Sequence, residues 1–398
     1  MTARPQHNAS QADWTDWRWQ MRSRVRDVET LERYVRPTPG ERAAIEATAG
    51  VFKWALTPYS ASLMDPVDER DPIRLQLVPQ AAEVAPDIVG VVDPLDEVGH
   101  SPVKNLVHNY RDKVAFCITS ECAVYCRYCL RKRMVGDADF MMRKDELREG
   151  LAYLRAHPEV RDVLLTGGDP LVFSDDNLAW LLGELRAIPH VEVVRIGSRL
   201  PVVNPFRVTD ALCDVLRAHH PVWLNTHFNH PRELTREAVE ACERLADAGV
   251  PVGNQTVLLA GVNDAAETLR ALSERLVAAR VRPYYLYQAQ LIGGTAHLRT
   301  PIEAGMALMQ ALRGHTSGFA VPAYVLDTPD GKVPLTRDYV LGRAGDHVVM
   351  RTTRGTLWAE PNPLDGFEGP VSLPRIERPP EARTVPTGAP TFVHGSPA

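Results

Sequence analysis

The chain has 398 residues, 44% of them hydrophobic and 24% charged, which allows a large core and excludes wholesale disorder. Its formal charge of −5 gives no global case for nucleic-acid binding. No stretch reaches the roughly 18 consecutive apolar residues of a spanning helix, and the first residues, MTARPQHNASQADWTDWRWQ, lack an apolar secretory core. A cytoplasmic protein with neither membrane nor nucleic-acid partner is expected.

Residues 12–75 read as helical. The run Val28-Glu-Thr-Leu-Glu-Arg-Tyr-Val has apolar residues at helical spacing, and Thr38-Pro-Gly-Glu-Arg is a helix start. The rhythm then changes to short β-rich runs at Val114–Ile118, Val163–Thr166, Val191–Ile196, Val222–Asn225, Asn254–Leu259 and Pro283–Tyr287. Helical patterns follow most of the first five, at Leu178–Leu185, Asp210–Ala218, Arg236–Ala248 and Ala265–Ala278. Repeats of roughly thirty residues with apolar strands predict a parallel sheet covered by helices. Six such units suit a partial (β/α)6 barrel of the α/β class, with Ala323–Leu326 as a further strand. From about Glu360 the composition shifts, with nine prolines in the last 38 residues. The expected organisation is an N-terminal helical extension (1–95), the partial barrel (96–322), a segment carrying Lys332 (323–360) and an extended or disordered proline-rich tail (361–398).

Four of the six cysteines fall within residues 117–129. Cys117 lies inside the first strand and reads as core. Cys122, Cys126 and Cys129 follow that strand as C-x3-C-x2-C, and three thiolates on one loop can hold three irons of a [4Fe–4S] cube, leaving the fourth iron for a small molecule. A structural zinc would need a fourth ligand, and none is evident nearby. The second strand runs into Thr166-Gly167-Gly168-Asp169-Pro170, whose paired glycines allow close backbone approach. Lysine is scarce, with 6 lysines against 39 arginines, and Lys332 alone follows residue 144. It stands in Asp327-Thr-Pro-Asp330-Gly-Lys332, a turn that could hold an amine for Schiff-base chemistry.

The cysteine loop resembles the signature of radical S-adenosylmethionine (SAM) enzymes. The chain from about Trp14 to Pro334 resembles the lysine 2,3-aminomutase family. The resemblance is carried by Trp14-Thr-Asp-Trp-Arg-Trp-Gln, Cys122 through Arg133, Thr166-Gly-Gly-Asp-Pro, Arg195-Ile-Gly-Ser-Arg-Leu-Pro-Val-Val, Leu224-Asn-Thr-His-Phe-Asn-His-Pro, Gly253-Asn-Gln-Thr-Val, Pro283-Tyr-Tyr-Leu-Tyr-Gln and Asp327 through Lys332. It implies an isomerase in which a 5′-deoxyadenosyl radical takes a β-hydrogen and an amino group held by pyridoxal phosphate (PLP) moves from C2 to C3. It also implies a homo-oligomer, a dimer or tetramer, fed by an external one-electron reductant and acting on a free amino acid. Cys122, Cys126 and Cys129 would hold the cluster, Lys332 would bond PLP, and Arg131 would pair with the substrate carboxylate. Gly167, Gly168, Asp169, Ser198, Arg199, Asn225, His227 and Gln255 would line the SAM and PLP space. Lys132 reads as a solvated member of the basic run 131–133.

Three departures refine this expectation. Ala265 follows Gly261-Val-Asn-Asp264 where the family has a zinc-binding cysteine, and no cysteine follows Cys242, so no zinc is expected. Asn109 and Lys113 stand where the family has two arginines near the PLP phosphate, leaving Lys113, with Arg111 nearby, as the source of positive charge. Asp327 matches one of two acids that hold a substrate ammonium, but Gln290 replaces the other, which suits the planar guanidinium of arginine as well as lysine. A rival reading keeps the cluster and SAM but makes the target a protein or RNA, without PLP and with Lys332 structural.

Overall fold

The computed structural model describes residues 9–85, 90–376 and 382–384. Nine strands form one sheet in strict chain order: β1 (Leu106–Val107), β2 (Lys113–Thr119), β3 (Asp162–Gly167), β4 (Val193–Gly197), β5 (Val222–Thr226), β6 (Val252–Leu258), β7 (Val281–Gln288), β8 (Ala323–Thr328) and β9 (Gly331–Pro334). β2 through β8 are parallel neighbours, with β1 and β9 antiparallel at the two edges. Helices at Lys144–Ala156, Asp175–Arg186, Asp210–Ala218, Arg236–Asp247, Ala266–Ala278 and Ile302–Leu312 occupy the six crossovers. The six expected βα units are therefore present, the sheet curls into a half-barrel, and the additional run becomes the seventh parallel strand.

The strands alternate rather than being apolar throughout. On β3, Val163 and Leu165 are fully buried, whereas Asp162, Leu164 and Thr166 face a cavity. β6 repeats the pattern, with Gln255 and Val257 on the cavity side. Only the outer face is covered by helices, so period-2 alternation suits a half-barrel whose inner face is a binding surface. The helix Asp175–Arg186 buries Leu178, Leu181, Leu182 and Leu185, one stripe at helical spacing. Each such leucine contributes roughly 1.5–3 kcal/mol by leaving water.

The N-terminal extension is a set of short capped helices. Thr38 caps Pro39–Thr48 and forms a reciprocal box with Glu41, as Thr38-Pro-Gly-Glu predicts. The run from Val28 is helical only over Val28–Leu31, with Asp27 as its cap. The extension clasps the cysteine loop from outside. Arg24 donates to the Cys122 carbonyl at 2.5 Å and pairs with Glu121 at 2.8 Å, and the amides of Tyr125 and Arg127 donate to the carbonyls of Ala55 and Gln76.

Lys132 is not solvated as expected. It is buried, with its Nζ 2.8 Å from Glu83, and Arg127 forks onto the same carboxylate at 2.5 Å. Burial opposes ionisation of Glu83, but the charges of Arg127 and Lys132 overcome it and hold the carboxyl below its usual range. Glu83→Gln would leave two buried cations underpaired. Urea unfolding is expected to show a loss of about 3–5 kcal/mol, and a midpoint within error of wild type would refute the clasp.

A second sheet follows, β10 (Val340–Ala344), β11 (His347–Arg351), β12 (Leu357–Pro361) and β13 (Arg383–Thr384), antiparallel except for the last pair. The sequence reading did not anticipate it, although Gly345-Asp346 and Gly355 mark its two hairpin turns. It braces the Lys332 segment, because Thr356 donates to the buried Asp330 at 2.7 Å and Arg383 pairs with Asp330 at 3.1 Å. Of the proline-rich segment, residues 361–376 and 382–384 are described. Val371 is buried, and the amide of Ile376 donates to the Arg343 carbonyl. The rest of that segment lies outside the described residues. Among the described residues no helix is long and apolar enough to cross a membrane.

Candidate active site

The inner face of the half-barrel bounds a cavity of about 460 Å³, within the range of small-molecule sites. Ten expected site residues line it: Lys113, Cys126, Cys129, Arg131, Gly167, His227, Gln255, Gln290, Asp327 and Lys332. Cys122, Gly168, Asp169, Ser198, Arg199 and Asn225 are outside its lining and support it.

The cysteine loop leaves the C-terminal end of β2, where parallel α/β folds build their sites. All six cysteines are free thiols. Burial pushes the Cys122 thiol well above its ordinary value and that of Cys129 up to about 11, so both stay protonated until a cation replaces the proton. Arg199 donates from Nη1 to the Cys126 sulfur at 2.8 Å. Three unlinked thiols on a clasped loop are the donor set an iron–sulfur cluster takes. Among the described residues, no trio of His, Cys, Asp or Glu closes on a single ion.

The glycine turn holds this loop. A Cβ on Gly168 would stand 2.3 Å from the Glu121 carbonyl, and one on Gly167, whose φ is +113°, 2.5 Å from that of Thr119. The amide of Asp169 donates to Glu121 at 2.8 Å. The glycine requirement therefore comes from backbone contact with the start of the cysteine loop. Asp169 then joins two strand ends: its carboxylate accepts from the Ser198 hydroxyl at 2.7 Å and from the amides of Leu171, Arg199 and Leu200. Asn225 accepts the Ser198 amide at 3.0 Å.

Beneath the loop, Arg199 also donates to Gln76 at 2.6 Å and Glu233 at 2.8 Å. Tyr128 stacks on His227 and shares a 2.8 Å hydrogen bond with its Nε2. Burial, reinforced by the Arg199 charge, pulls His227 down to about 3, so it faces the cavity as a neutral imidazole.

At the other side, Lys332 lies not in the expected turn but on the return strand β9, just after Gly331, and reaches Asp327 on β8, with Nζ 2.8 Å from Oδ1. Its Nζ is 5.5 Å from the ring centre of Tyr287 and 6.0 Å from that of Tyr285, and its amide donates to the Tyr110 hydroxyl at 2.8 Å. Burial alone would depress the amine. Asp327 outweighs it and lifts the amine well above its ordinary value. Gln290 donates from Nε2 to the Asp327 carbonyl at 2.7 Å, which leaves its own side-chain oxygen as an acceptor. Lys113 lies 4.1 Å over the Tyr110 ring with no carboxylate partner among the described residues. An amine flanked by phenols, near an unpaired cation, fits PLP and its phosphate.

Arg131 is already engaged. Glu97, which the sequence reading passed over, accepts from its Nε at 3.0 Å and its Nη2 at 2.7 Å, and Thr166 accepts from Nη1 at 3.1 Å. Glu97 lies in an irregular segment without periodicity, so nothing local marked it. Tyr285 and Tyr287 sat within a segment carrying the family resemblance, and only the fold shows that they surround Lys332.

Residues 116–272 match the Radical SAM superfamily, and residues 309–373 match the family described as Lysine-2,3-aminomutase. The chain is 47% identical over 364 residues to the L-lysine 2,3-aminomutase of Clostridium subterminale, covering 91% of this chain and 88% of that one. It is 46% identical to the L-lysine 2,3-aminomutase of Acetoanaerobium sticklandii, with 89% and 87% covered. The glutamate 2,3-aminomutase of Clostridioides difficile is 43% identical, with 88% and 83% covered. With identities of this size over nearly the whole chain, and a half-barrel that carries the cysteine loop at the end of its first parallel strand, the chain belongs to the lysine 2,3-aminomutase family of radical SAM isomerases.

Proposed function

We propose that this isomerase is a PLP-dependent 2,3-aminomutase that moves the α-amino group of lysine or arginine to the β-carbon. The observation that carries the reading is that one cavity holds two cysteines of the cluster loop, the Lys332 amine and the Asp327–Gln290 pair. The superfamily brings a [4Fe–4S] cluster and SAM, and bound together with PLP they would supply a hydrogen-abstracting radical and a carbonyl that bonds an amine.

The residues divide the remaining work. Cys122, Cys126 and Cys129 hold the irons, on a loop kept still by Arg24, Glu83 and the glycine turn. Lys332 holds PLP, and Lys113 offers charge to its phosphate. Arg131 presents donors to the substrate carboxylate. Asp327 takes the cationic end of the side chain, and the Gln290 oxygen accepts a second hydrogen. A guanidinium can use both acceptors in one plane, and an ammonium can rotate its three donors to do the same. Neutral His227 contributes hydrogen bonding without placing a charge beside the reacting centre.

The test is anaerobic incubation with reconstituted cluster, PLP, SAM and reductant, offering lysine, arginine, ornithine, glutamate and alanine separately and following β-amino acids by mass spectrometry. A β-isomer from lysine or arginine is expected. Preferred turnover of glutamate or alanine would overturn the role of Asp327, and SAM cleavage without any isomer would favour a macromolecular target.

A further inference from the structure

Of the three carboxylates that line the cavity, Asp327 serves the proposed reaction and Asp162 pairs with Arg195 at 2.8 Å, whereas Glu97 has no role assigned to it. Glu97 is only 5% exposed, yet it lines the same space as Arg131. It sits in a turn built by Asp93, whose carboxylate accepts the amides of Glu97 and Val98 at 3.1 and 3.0 Å. Its carbonyl is held by the Ser101 hydroxyl at 2.6 Å. The turn therefore presents the Glu97 carboxylate from a fixed backbone.

That carboxylate takes one edge of Arg131. Nε donates to both Glu97 oxygens, at 3.0 and 3.2 Å, and Nη2 donates to Oε1 at 2.7 Å. Nη1 is spent on Thr166 at the end of β3. A guanidinium has five N–H donors, so about two remain once these three groups are committed. Arg133 approaches the other side of the same carboxylate, with Nη2 3.2 Å from Oε2, and is itself held by Asp93 at 3.1 Å. Two arginines and two carboxylates thus form a charge-balanced cluster in which Arg131 has its plane fixed on two sides.

We infer that Glu97 is a positioning residue: it holds the guanidinium of Arg131 so that the unspent donors meet the carboxylate of the amino acid substrate. This rests on the aminomutase reading for the identity of the substrate. A free arginine side chain carries rotamer entropy of about 2 kcal/mol, which would be lost on each binding event. With Glu97 in place that ordering is already complete in the free protein, which is what preorganised recognition requires. Glu97 also neutralises the field of the Arg131–Arg133 pair. The site then selects an anion of the right geometry rather than any anion.

The test compares two ligands that differ only in the carboxylate. PLP-loaded protein is titrated calorimetrically with the amino acid, lysine or arginine, and with its decarboxylated amine, cadaverine or agmatine. Wild type is expected to prefer the amino acid. In Glu97→Gln, whose amide nitrogen faces the arginine donors, amino acid binding is expected to weaken about 10- to 100-fold, the range of a charge-assisted hydrogen-bond set. Amine binding should stay within about twofold of wild type on that account, because the amine never touched Arg131. Glu97→Asp, which keeps the charge one methylene back, is expected to restore part of the preference. A general structural role would weaken both ligands together, and that result would overturn the inference. It would also fall if wild type showed no preference, or if both variants kept the full preference. Wild type that prefers the amino acid yet turns over none would defeat the aminomutase reading and leave the positioning role standing.

Discussion

Lys332→Ala is expected to reduce turnover below about a thousandth of wild type and to remove the visible absorbance that PLP gains on bonding to a lysine amine. Lys113 is the other lysine in the cavity lining, and it lies over the Tyr110 ring rather than beside Asp327. Retained absorbance in Lys332→Ala would transfer the role to Lys113 or dismiss it. The companion variant is Asp327→Asn. Burial disfavours the charged amine of Lys332, and the carboxylate 2.8 Å away more than compensates, so the amine is held protonated well above its ordinary range. An amine bonds a carbonyl only when neutral. Removing the anion leaves burial to dominate, so the pH at which half the protein bonds PLP should move downward in Asp327→Asn. An upward or absent shift in a spectroscopic pH titration would show that Asp327 does not control this amine. The same variant should lose affinity for a cationic side chain, since a Lys332 bonded to PLP would no longer present its ammonium to Asp327 and would leave that carboxylate for the substrate.

Loss of the cluster is the second large effect. Cys122→Ala, Cys126→Ala and Cys129→Ala are each expected to bring iron and sulfide after anaerobic reconstitution below a third of wild type and to abolish SAM cleavage, because a missing thiolate leaves one more iron open to solvent. Cys213→Ser and Cys242→Ser should retain the metal. Those cysteines lie buried in the helices Asp210–Ala218 and Arg236–Asp247, on the outer side of the sheet, and their cost is one of packing. Iron, sulfide and the electron paramagnetic resonance of the reduced protein separate the two groups. Full metal in any of the first three variants would remove that cysteine from the ligand set.

The two sides of the site were unequally visible before the fold was known. The cysteine spacing is local: three residues on one loop after one strand have the same meaning wherever the loop goes. The βα rhythm is local too, since each strand and helix carries its own periodicity, and all six crossover helices stand between the expected strands. The second sheet was not legible because its strands are only two to five residues long, too short for a period-2 pattern to stand out before their pairing is known. Lys132 departs from its expected solvation for a different reason. A charge in a basic run looks solvated until its partner is known, and Glu83 comes from a segment about fifty residues earlier.

The half-barrel and the cluster loop at its first strand were legible in the chain because each rests on sequence neighbours, whereas Lys332, expected in a turn, stands on the strand that follows it. Only the tertiary structure decided that Glu97 edges Arg131, that Asp327 holds Lys332, that Gln290 offers its oxygen and that the paired glycines serve the cysteine loop. Apart from Asp327 and Lys332, which face each other across one hairpin, those contacts join strands and loops distant in sequence. The strength of a charge pair or a hydrogen bond depends on distance, orientation and burial, none of which a linear pattern carries.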